Sequence, residues 1–537
     1  MADHASTAMA APGTGVPACT IGDVIRRQAR ERGDATALVF GERRLTYACL
    51  DRRTDRIAHA LLAAGLKQGD RLAYLGKNSD RHFELLVAAA KARLVLVPLN
   101  WRLARPELEF QIDDAAPRIL FAGPEFLHAA KDLAADRGMA VIAAEVEQGD
   151  VPGFEDWLAA RSGAASGATP LPVAEPDDVV LIMYTSGTTG RPKGAMLSHR
   201  SLLRVADGAP LVEPDFFIWR PGEVALIAMP TFHVGGTGQG LRALKGGATA
   251  VILKEFSVDA VLEAVVAHRV DKLFLVPSAI HAVLQHPSIG TADYSCLRYI
   301  LYGASPIPAD LLRTAMAAFG CGFVQMYGAT ETSGTITALS PEDHLSDDPA
   351  RLTSAGAPLP GVEIVILDDN GVSLPAGEPG EIAVRSVANM AGYWQLPVET
   401  AGTVDAQGWL RTGDVGRLDA DGYLTVFDRV KDMIISGGEN VYPAEVENAI
   451  FSHPAVQDVA AIGLPDPRWG EKVTAIVVRQ PGQNVDADAI IAWARGRIAA
   501  FKVPKAVHFV DALPRNPSGK ILRRELRDRF AASTEAS

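Results

Sequence analysis

Val180-Leu181-Ile182-Met183-Tyr184-Thr185-Ser186-Gly187-Thr188-Thr189-Gly190-Arg191-Pro192-Lys193-Gly194 is the stretch that decides how the chain folds. Its four leading apolar residues predict a buried strand, and the pattern from Leu197 to Leu203 predicts a helix. Between them stand four aliphatic hydroxyls, three glycines, a proline and two cations. Glycine lets a backbone turn sharply and approach a ligand closely. Successive N–H groups, hydroxyls and a lysine in such a turn make a cradle for a polyphosphate. The string is not a Walker A loop, because Gly190 and Lys193 are not adjacent and no Ser or Thr follows the lysine. A metal serving those phosphates is therefore held elsewhere in the chain. A flexible surface loop is the competing reading, and the ordered run of hydroxyls and cations argues against it.

Strands alternate with helices on both sides of this loop. Ile21 to Arg32, Leu50 to Leu66 and His82 to Ala92 are helical in pattern; Ala37 to Phe40, Arg44 to Tyr47, Arg71 to Leu75 and Leu94 to Pro98 are strands. The alternation continues through Arg118 to Ala122, Ala140 to Ala144, Val224 to Met229, Ala250 to Leu253, Lys272 to Val276, Tyr299 to Tyr302 and Phe323 to Tyr327. It predicts a layered α/β fold with parallel strands. From Val362 the pattern changes to short strands and tight turns, such as Asp369-Asn370-Gly371, and predicts a smaller β-rich region. The charge cluster Asp428-Arg429-Val430-Lys431-Asp432 marks a boundary. Beyond it, a helix from Pro443 to Phe451 and strands near Val459 to Gly463, Lys472 to Val478 and Ala506 to Phe509 predict an α+β module of roughly 100 residues. The expected division is a disordered leader (1–20), a large N-terminal domain (21–430), a small C-terminal domain (431–530) and a fraying tail (531–537).

The totals restrict the function. A chain of 537 residues with 48% hydrophobic and 22% charged residues can bury a large core. A formal net charge of −12 argues against a nucleic-acid partner. Cys19, Cys49, Cys296 and Cys321 are scattered, with neither metal-ligand spacing nor a disulfide framework, which suits a reducing cytoplasm. No apolar run approaches the ~20 residues of a membrane span.

Several strand ends carry small or polar residues, and in open α/β sheets ligands sit beyond such ends. Val224 to Met229 leads to His233, Gly235, Gly236 and Gly238. Tyr299 to Tyr302 leads to Gly303, Ala304 and Ser305. Phe323 to Tyr327 leads to Gly328, Ala329, Thr330 and Glu331. Tyr327 can stack on a base, Thr330 can donate to a phosphate, and Glu331 can hold a hard cation through oxygen. Taken singly, His233 reads as a hydrogen-bonded loop histidine, Thr330-Glu331 as a helix cap, and Gly413-Asp414 as a turn. Asp414 can also accept two hydroxyl hydrogen bonds from a ribose.

Five strings in order, Tyr184 to Gly194, Tyr327 to Glu331, Thr412-Gly413-Asp414, Asp428 to Glu447 and Pro514 to Lys520, make the chain resemble the adenylate-forming enzymes, within them the acyl-CoA synthetases and aryl-CoA ligases. The resemblance runs from about Thr46 to Leu526. It implies a two-step reaction on ATP, Mg²⁺ and CoA. A carboxylate attacks the α-phosphorus to give an acyl-adenylate and pyrophosphate, and a thiol then displaces AMP. An ionised carboxylate is already a nucleophile, so the first step needs charge neutralisation and positioning, with no general base. By motif position, Thr185, Ser186, Gly187, Thr188, Thr189, Gly190 and Lys193 would cradle the phosphates. Gly303, Ala304, Ser305, Tyr327, Gly328 and Ala329 would form the adenine slot. Thr330 would meet the α-phosphate, Glu331 the metal, and Asp414 and Arg429 the ribose. Lys520 would bridge carboxylate and α-phosphate, with Thr185, Lys193 and Glu331 completing the catalytic set.

The same resemblance implies a hinge at Lys431, a CoA channel at Gly437-Gly438, and an acyl pocket at His233, Gly235, Gly303 and Gly328. Small residues there predict a roomy pocket for a medium/long-chain or bulky hydrophobic acid, ahead of an aryl or arylpropenoic acid. The partners implied are the carboxylic acid, ATP and CoA, with no nucleic acid and no membrane span; a homodimer stays open. A carrier-protein adenylation domain and a luciferase-like monooxygenase share these strings. The absence of a carrier segment after Lys520 favours free CoA. A non-catalytic nucleotide-binding regulator is the alternative of another class.

Overall fold

The computed structural model describes residues 19–145, 151–162, 170–185, 191–305, 307–346, 348–429, 432–436, 439–515 and 521–534. Two large sheets dominate among them. One has seven strands, in the order Gly392–Tyr393, Lys193–Ser198, Val179–Thr185, Val95–Leu99, Arg71–Leu75, Ile119–Ala122 and Ala140–Ala143. The other has nine, in the order Ala357–Pro358, Gly334–Leu339, Gly322–Ala329, Tyr299–Gly303, Lys272–Leu275, Val224–Ile227, Thr249–Ile252, Thr36–Phe40 and Arg43–Thr46. Pairing is parallel from Val179–Thr185 to Ala140–Ala143 in the first sheet and from Gly322–Ala329 to Thr36–Phe40 in the second; the flanking strands are antiparallel.

Burial patterns stack these sheets into layers. Leu38, Ala225 and Ala250 of the nine-stranded sheet share a core with Leu72, Leu96 and Leu181 of the seven-stranded sheet. The helices Tyr47–Ala63, Asp80–Ala92 and Val234–Gly246 contribute to that same core, so they lie between the sheets. Every residue of Asp80–Ala92 is buried, as a helix enclosed on all sides must be. Its charged members are paired inside: Arg81 with Glu84 at 2.6 Å, and Lys91 with Asp51 and Asp55 at 2.6 and 2.7 Å. The outer face of each sheet is covered by further helices, Arg105–Ala115 and Leu127–Ala134 on one, Val258–His268, Pro277–Leu284 and Ala309–Phe319 on the other.

Two smaller sheets follow. Val362–Leu367, Gly380–Ser386, Trp409–Leu418 and Leu424–Arg429 form an antiparallel four-stranded sheet. A five-stranded sheet is centred on Val456–Asp466 and Gly470–Arg479, with the helices Pro443–Phe451, Ala487–Arg495 and Arg523–Thr534 beside it. The chain is thus a large layered α/β region, a β-rich subdomain and a small C-terminal α+β region.

The differences from expectation have physical causes. Leu197 and Ser198 belong to the strand Lys193–Ser198, and only His199–Leu203 is helical, capped by Ser198. The run pairs with Val179–Thr185 as a hairpin, and those ladder bonds outweigh its helical pattern. Gly194 fits there because a Cβ would lie 2.8 Å from Ile182. Tyr47 begins a helix, with the Thr46 hydroxyl accepting from the Cys49 amide as its cap. The strands Gly334–Leu339 and Trp409–Leu418 are absent from the sequence reading because glycines and hydroxyls break up their alternation.

Candidate active site

The carboxyl ends of strands from different sheets meet in one place. Thr185 ends its strand in the seven-stranded sheet, and Glu331 stands in the single turn Thr330–Thr332 that follows Gly322–Ala329 in the other. The Thr185 hydroxyl donates to Glu331 Oε1 at 3.1 Å, across 146 residues of sequence. The Tyr393 hydroxyl donates to the same oxygen at 3.0 Å. Tyr393 is placed by the two-residue strand Gly392–Tyr393, which pairs with Met196 and Ala195. Its ring carries the Lys193 ammonium 5.0 Å from the centroid. Thr185, Lys193, Glu331 and Tyr393 therefore form one polar cluster.

A second contact extends the cluster into the four-stranded sheet. The Tyr327 hydroxyl donates to Asp414 Oδ2 at 2.7 Å. Asp414 is buried, its amide is bonded to Thr412 Oγ1 at 3.1 Å, and its register partner is Arg429. A cavity of about 560 Å³ opens beside this pair. Ala304, Tyr327 and Asp414 line it from the large region; Glu447, Asp458 and Arg515 line it from the C-terminal region. Ala304 has φ of 69°, a conformation strained for a residue with a Cβ and one that recurs at ligand sites.

The glycines divide into two groups. A Cβ on Gly303 would lie 2.2 Å from the Met326 carbonyl oxygen, one on Gly328 1.9 Å from that of Gly334, and one on Gly236 2.4 Å from that of Pro230. These three are required by close backbone approach. A Cβ on Gly235 would lie 3.0 Å from the Phe274 ring, and one on Gly238 3.8 Å from Val234. In this second pair the atoms near the Cβ position belong to side chains alone. His233 sits at the N-cap of Val234–Gly246 without capping it. Its Nε2 is buried and has no hydrogen-bond partner among the described residues. Burial, aided by nearby Arg102, lowers its pKa to about 4, so the ring is neutral at pH 7.

Ser186, Gly187, Thr188, Thr189, Gly190, Lys431, Gly437, Gly438 and Lys520 lie outside the described residues, as does the side chain of Arg429. Ser305, Ala329 and Thr330 stand at the strand ends where the sequence placed them. The sequence reading missed Tyr393. It also missed the brace behind the hairpin, where the Tyr184 hydroxyl bonds Asp114 at 2.5 Å and the Trp394 indole N–H donates to the Asp114 carbonyl at 3.0 Å. The one available signal was the aromatic pair Tyr393-Trp394 after a glycine, which points to nothing until its pairing with Lys193–Ser198 is known.

The donor set suits a hard divalent cation. No group of three or more His, Cys, Asp or Glu side chains that could hold a metal occurs among the described residues. A cation here would rest on the single carboxylate of Glu331, with phosphate and water oxygens completing its shell, the manner in which Mg²⁺ is usually held.

Comparison with known proteins agrees with this geometry. Residues 25–394 match the AMP-binding enzyme family, and residues 445–520 match the AMP-binding enzyme C-terminal domain. A feruloyl-CoA synthase of Amycolatopsis sp is 44% identical, over 94% of this chain and 98% of its own. The fatty acid–[acyl-carrier-protein] ligase ScoC of Streptomyces coeruleorubidus is 41% identical, over 92% and 93%. The crystal structure of ATP-bound MatB from Rhodopseudomonas palustris superposes with a TM-score of 0.83 at 32% identity, covering 95% of this chain and 99% of that one. The chain belongs to the AMP-binding enzyme family, among its AMP-forming acid–thiol ligases.

Proposed function

We propose that the protein is an ATP-dependent acid–CoA ligase acting on a hydrophobic carboxylic acid through an acyl-adenylate. The observation that carries this reading is the cluster in which Thr185 and Tyr393 fix one oxygen of Glu331 beside Lys193. Such a cluster holds a carboxylate and an ammonium where a polyphosphate needs a cation and a counter-charge. Glu331 would hold Mg²⁺, which supplies charge neutralisation on the phosphates when bound. Thr185, Lys193 and residues 186–190 would orient the β- and γ-phosphates, and Thr330 the α-phosphate. Tyr327 and Ala304 would flank the base, and Asp414 with Arg429 the ribose. Lys520 would draw the two reacting anions together. Lys431 as hinge and Gly437-Gly438 as thiol channel complete the assignment, with domains divided at 430. Four unpaired cysteines suit a cytoplasmic location.

The acyl pocket is assigned to the region of His233, Gly235 and Gly238. A medium/long-chain or bulky acid is supported by the two glycines whose missing side chains border Phe274 and Val234. An arylpropenoic acid is the second reading, favoured by the 44% identity with a feruloyl-CoA synthase. The test is AMP release with CoA or a holo carrier protein over acids graded in length and ring content. Turnover with CoA and a hydrophobic acid is expected. Pyrophosphate exchange with no acid of the panel would refute the reading. Lys520→Ala is expected to abolish adenylation while a supplied acyl-adenylate is still thioesterified.

A further inference from the structure

The segment from Met390 to Gln395 straps the polar cluster to a helix on the outer face of the seven-stranded sheet. At its start the Met390 amide donates to the Glu331 carbonyl oxygen at 2.7 Å. Its strand Gly392–Tyr393 is held to the hairpin by two register pairs. Tyr393 packs on the core between the sheets and bonds the Glu331 carboxylate. The next side chain, Trp394, packs on the outer side with Tyr184 and Met196, as successive residues of an extended chain alternate in face. There its indole N–H donates to the Asp114 carbonyl oxygen at 3.0 Å, and its ring lies 5.1 Å from the Arg71 guanidinium.

Asp114 stands in the last turn of the helix Arg105–Ala115, where a carbonyl has no partner within the helix. Trp394 satisfies that carbonyl, and the Gln395 amide approaches it at 3.4 Å. The carboxylate of the same residue accepts from the Tyr184 hydroxyl at 2.5 Å. Tyr184 is the register partner of Gly194, whose carbonyl oxygen accepts the Trp394 backbone N–H at 2.7 Å. One residue therefore fastens both the hairpin and the strap. A strand of two residues is too short to fix its own register, and a slip of one residue would turn Tyr393 to the outer face. The Asp114 contacts oppose that slip.

We propose that Asp114 and Trp394 are positioning residues for adenylation: they hold the strap in the register that brings the Tyr393 hydroxyl to Glu331 and the Tyr393 ring to Lys193. The inference rests on the assignment of Glu331 and Lys193 to the metal-bound phosphates given above.

The experiment measures, by calorimetry on the full chain, the Kd of the Mg²⁺ complex of α,β-methylene-ATP, which cannot be adenylated, and the Kd of AMP without metal. Trp394→Phe keeps a ring and loses the indole N–H. It is expected to weaken the Mg²⁺–analogue complex about threefold to tenfold, the scale of one hydrogen bond. AMP carries no β- and γ-phosphates, and its Kd should stay within about twofold. In a Tyr393→Phe background the further change to Trp394→Phe should cost less than about twofold, because Trp394 acts through Tyr393. Tyr184→Phe is isosteric and frees the other arm of Asp114; it should weaken the analogue likewise, and it serves if Trp394→Phe does not fold. Three results overturn the proposal: a folded variant with unchanged analogue affinity, an equal loss for AMP, or the full loss repeated in the Tyr393→Phe background. The underlying assignment fails separately: it is wrong if Glu331→Gln leaves the Kd of the Mg²⁺–analogue complex unchanged, whatever Trp394→Phe does.

Discussion

Glu331 is held from both sides by hydroxyls, and each contact has a measurable share. Hydrogen bonds to a charged group contribute about 1.5–3 kcal/mol. Tyr393→Phe removes one of them and also alters the ring beneath Lys193. Adenylation, read as pyrophosphate exchange, is expected to fall by about ten- to a hundredfold in kcat/KM for ATP. Glu331→Gln keeps the shape and loses the charge, so its loss is expected to be larger, on the order of 10²–10³, with a raised Mg²⁺ requirement. Equal activity of wild type and both variants would remove this cluster from the reaction. Thr185, Lys193 and Glu331 were legible in the sequence because their strings are dense in unusual residue types. Tyr393 was not, because a lone tyrosine acquires its role only through a strand pairing with residues 195 and 196.

Among the elements, the helix Val234–Gly246 shows how packing and function divide the glycines. Gly236 has backbone carbonyls within 2.4 and 2.6 Å of where a Cβ would stand, and Gly240 has the Phe83 ring at 2.2 Å. At Gly238 the nearest atom is 3.8 Å away, on the same helix. Gly236→Ala is expected to destabilise the protein by about 1–3 kcal/mol or more through overpacking. Gly238→Ala should be neutral or stabilising by up to about 1 kcal/mol, because alanine favours a helix over glycine. Thermal unfolding of the two variants checks the contrast; equal melting points would refute it. The buried strands and the amphipathic helices were legible from periodicity, since one-sided or total burial imposes it. Lys193–Ser198 and Trp409–Leu418 were not, because their pairing partners rather than their own patterns make them strands.

At the scale of the molecule, the layered core encloses histidines that stay neutral. Burial lowers His82 to about 3 and His199 to about 4, and His233 is likewise near 4. His82 Nε2 is bonded to Thr237, and His199 Nδ1 accepts from the Ile21 amide. In the unfolded chain such rings titrate near ~6.5. Below that pH the unfolded state binds more protons than the folded one, so stability is complete above about 6.5 and is lost as pH falls toward about 4. Each ring contributes up to about 2 kcal/mol of loss between pH 6.5 and 5. The urea midpoint is expected to drop over that interval, with a shallower drop in His199→Gln; a flat profile would contradict the buried, neutral assignment. The interleaving of the two large sheets was invisible in the sequence, because it depends on which distant strands pair. It also has a consequence for biosynthesis. The strand Thr36–Phe40 leaves the ribosome early, yet its parallel neighbour Thr249–Ile252 is 213 residues further along. At translation speeds of about 5–20 residues per second, that edge waits roughly 10–40 s for its mate. During this interval the nascent chain carries an unsatisfied apolar ribbon, and chaperone demand should peak in that window of synthesis.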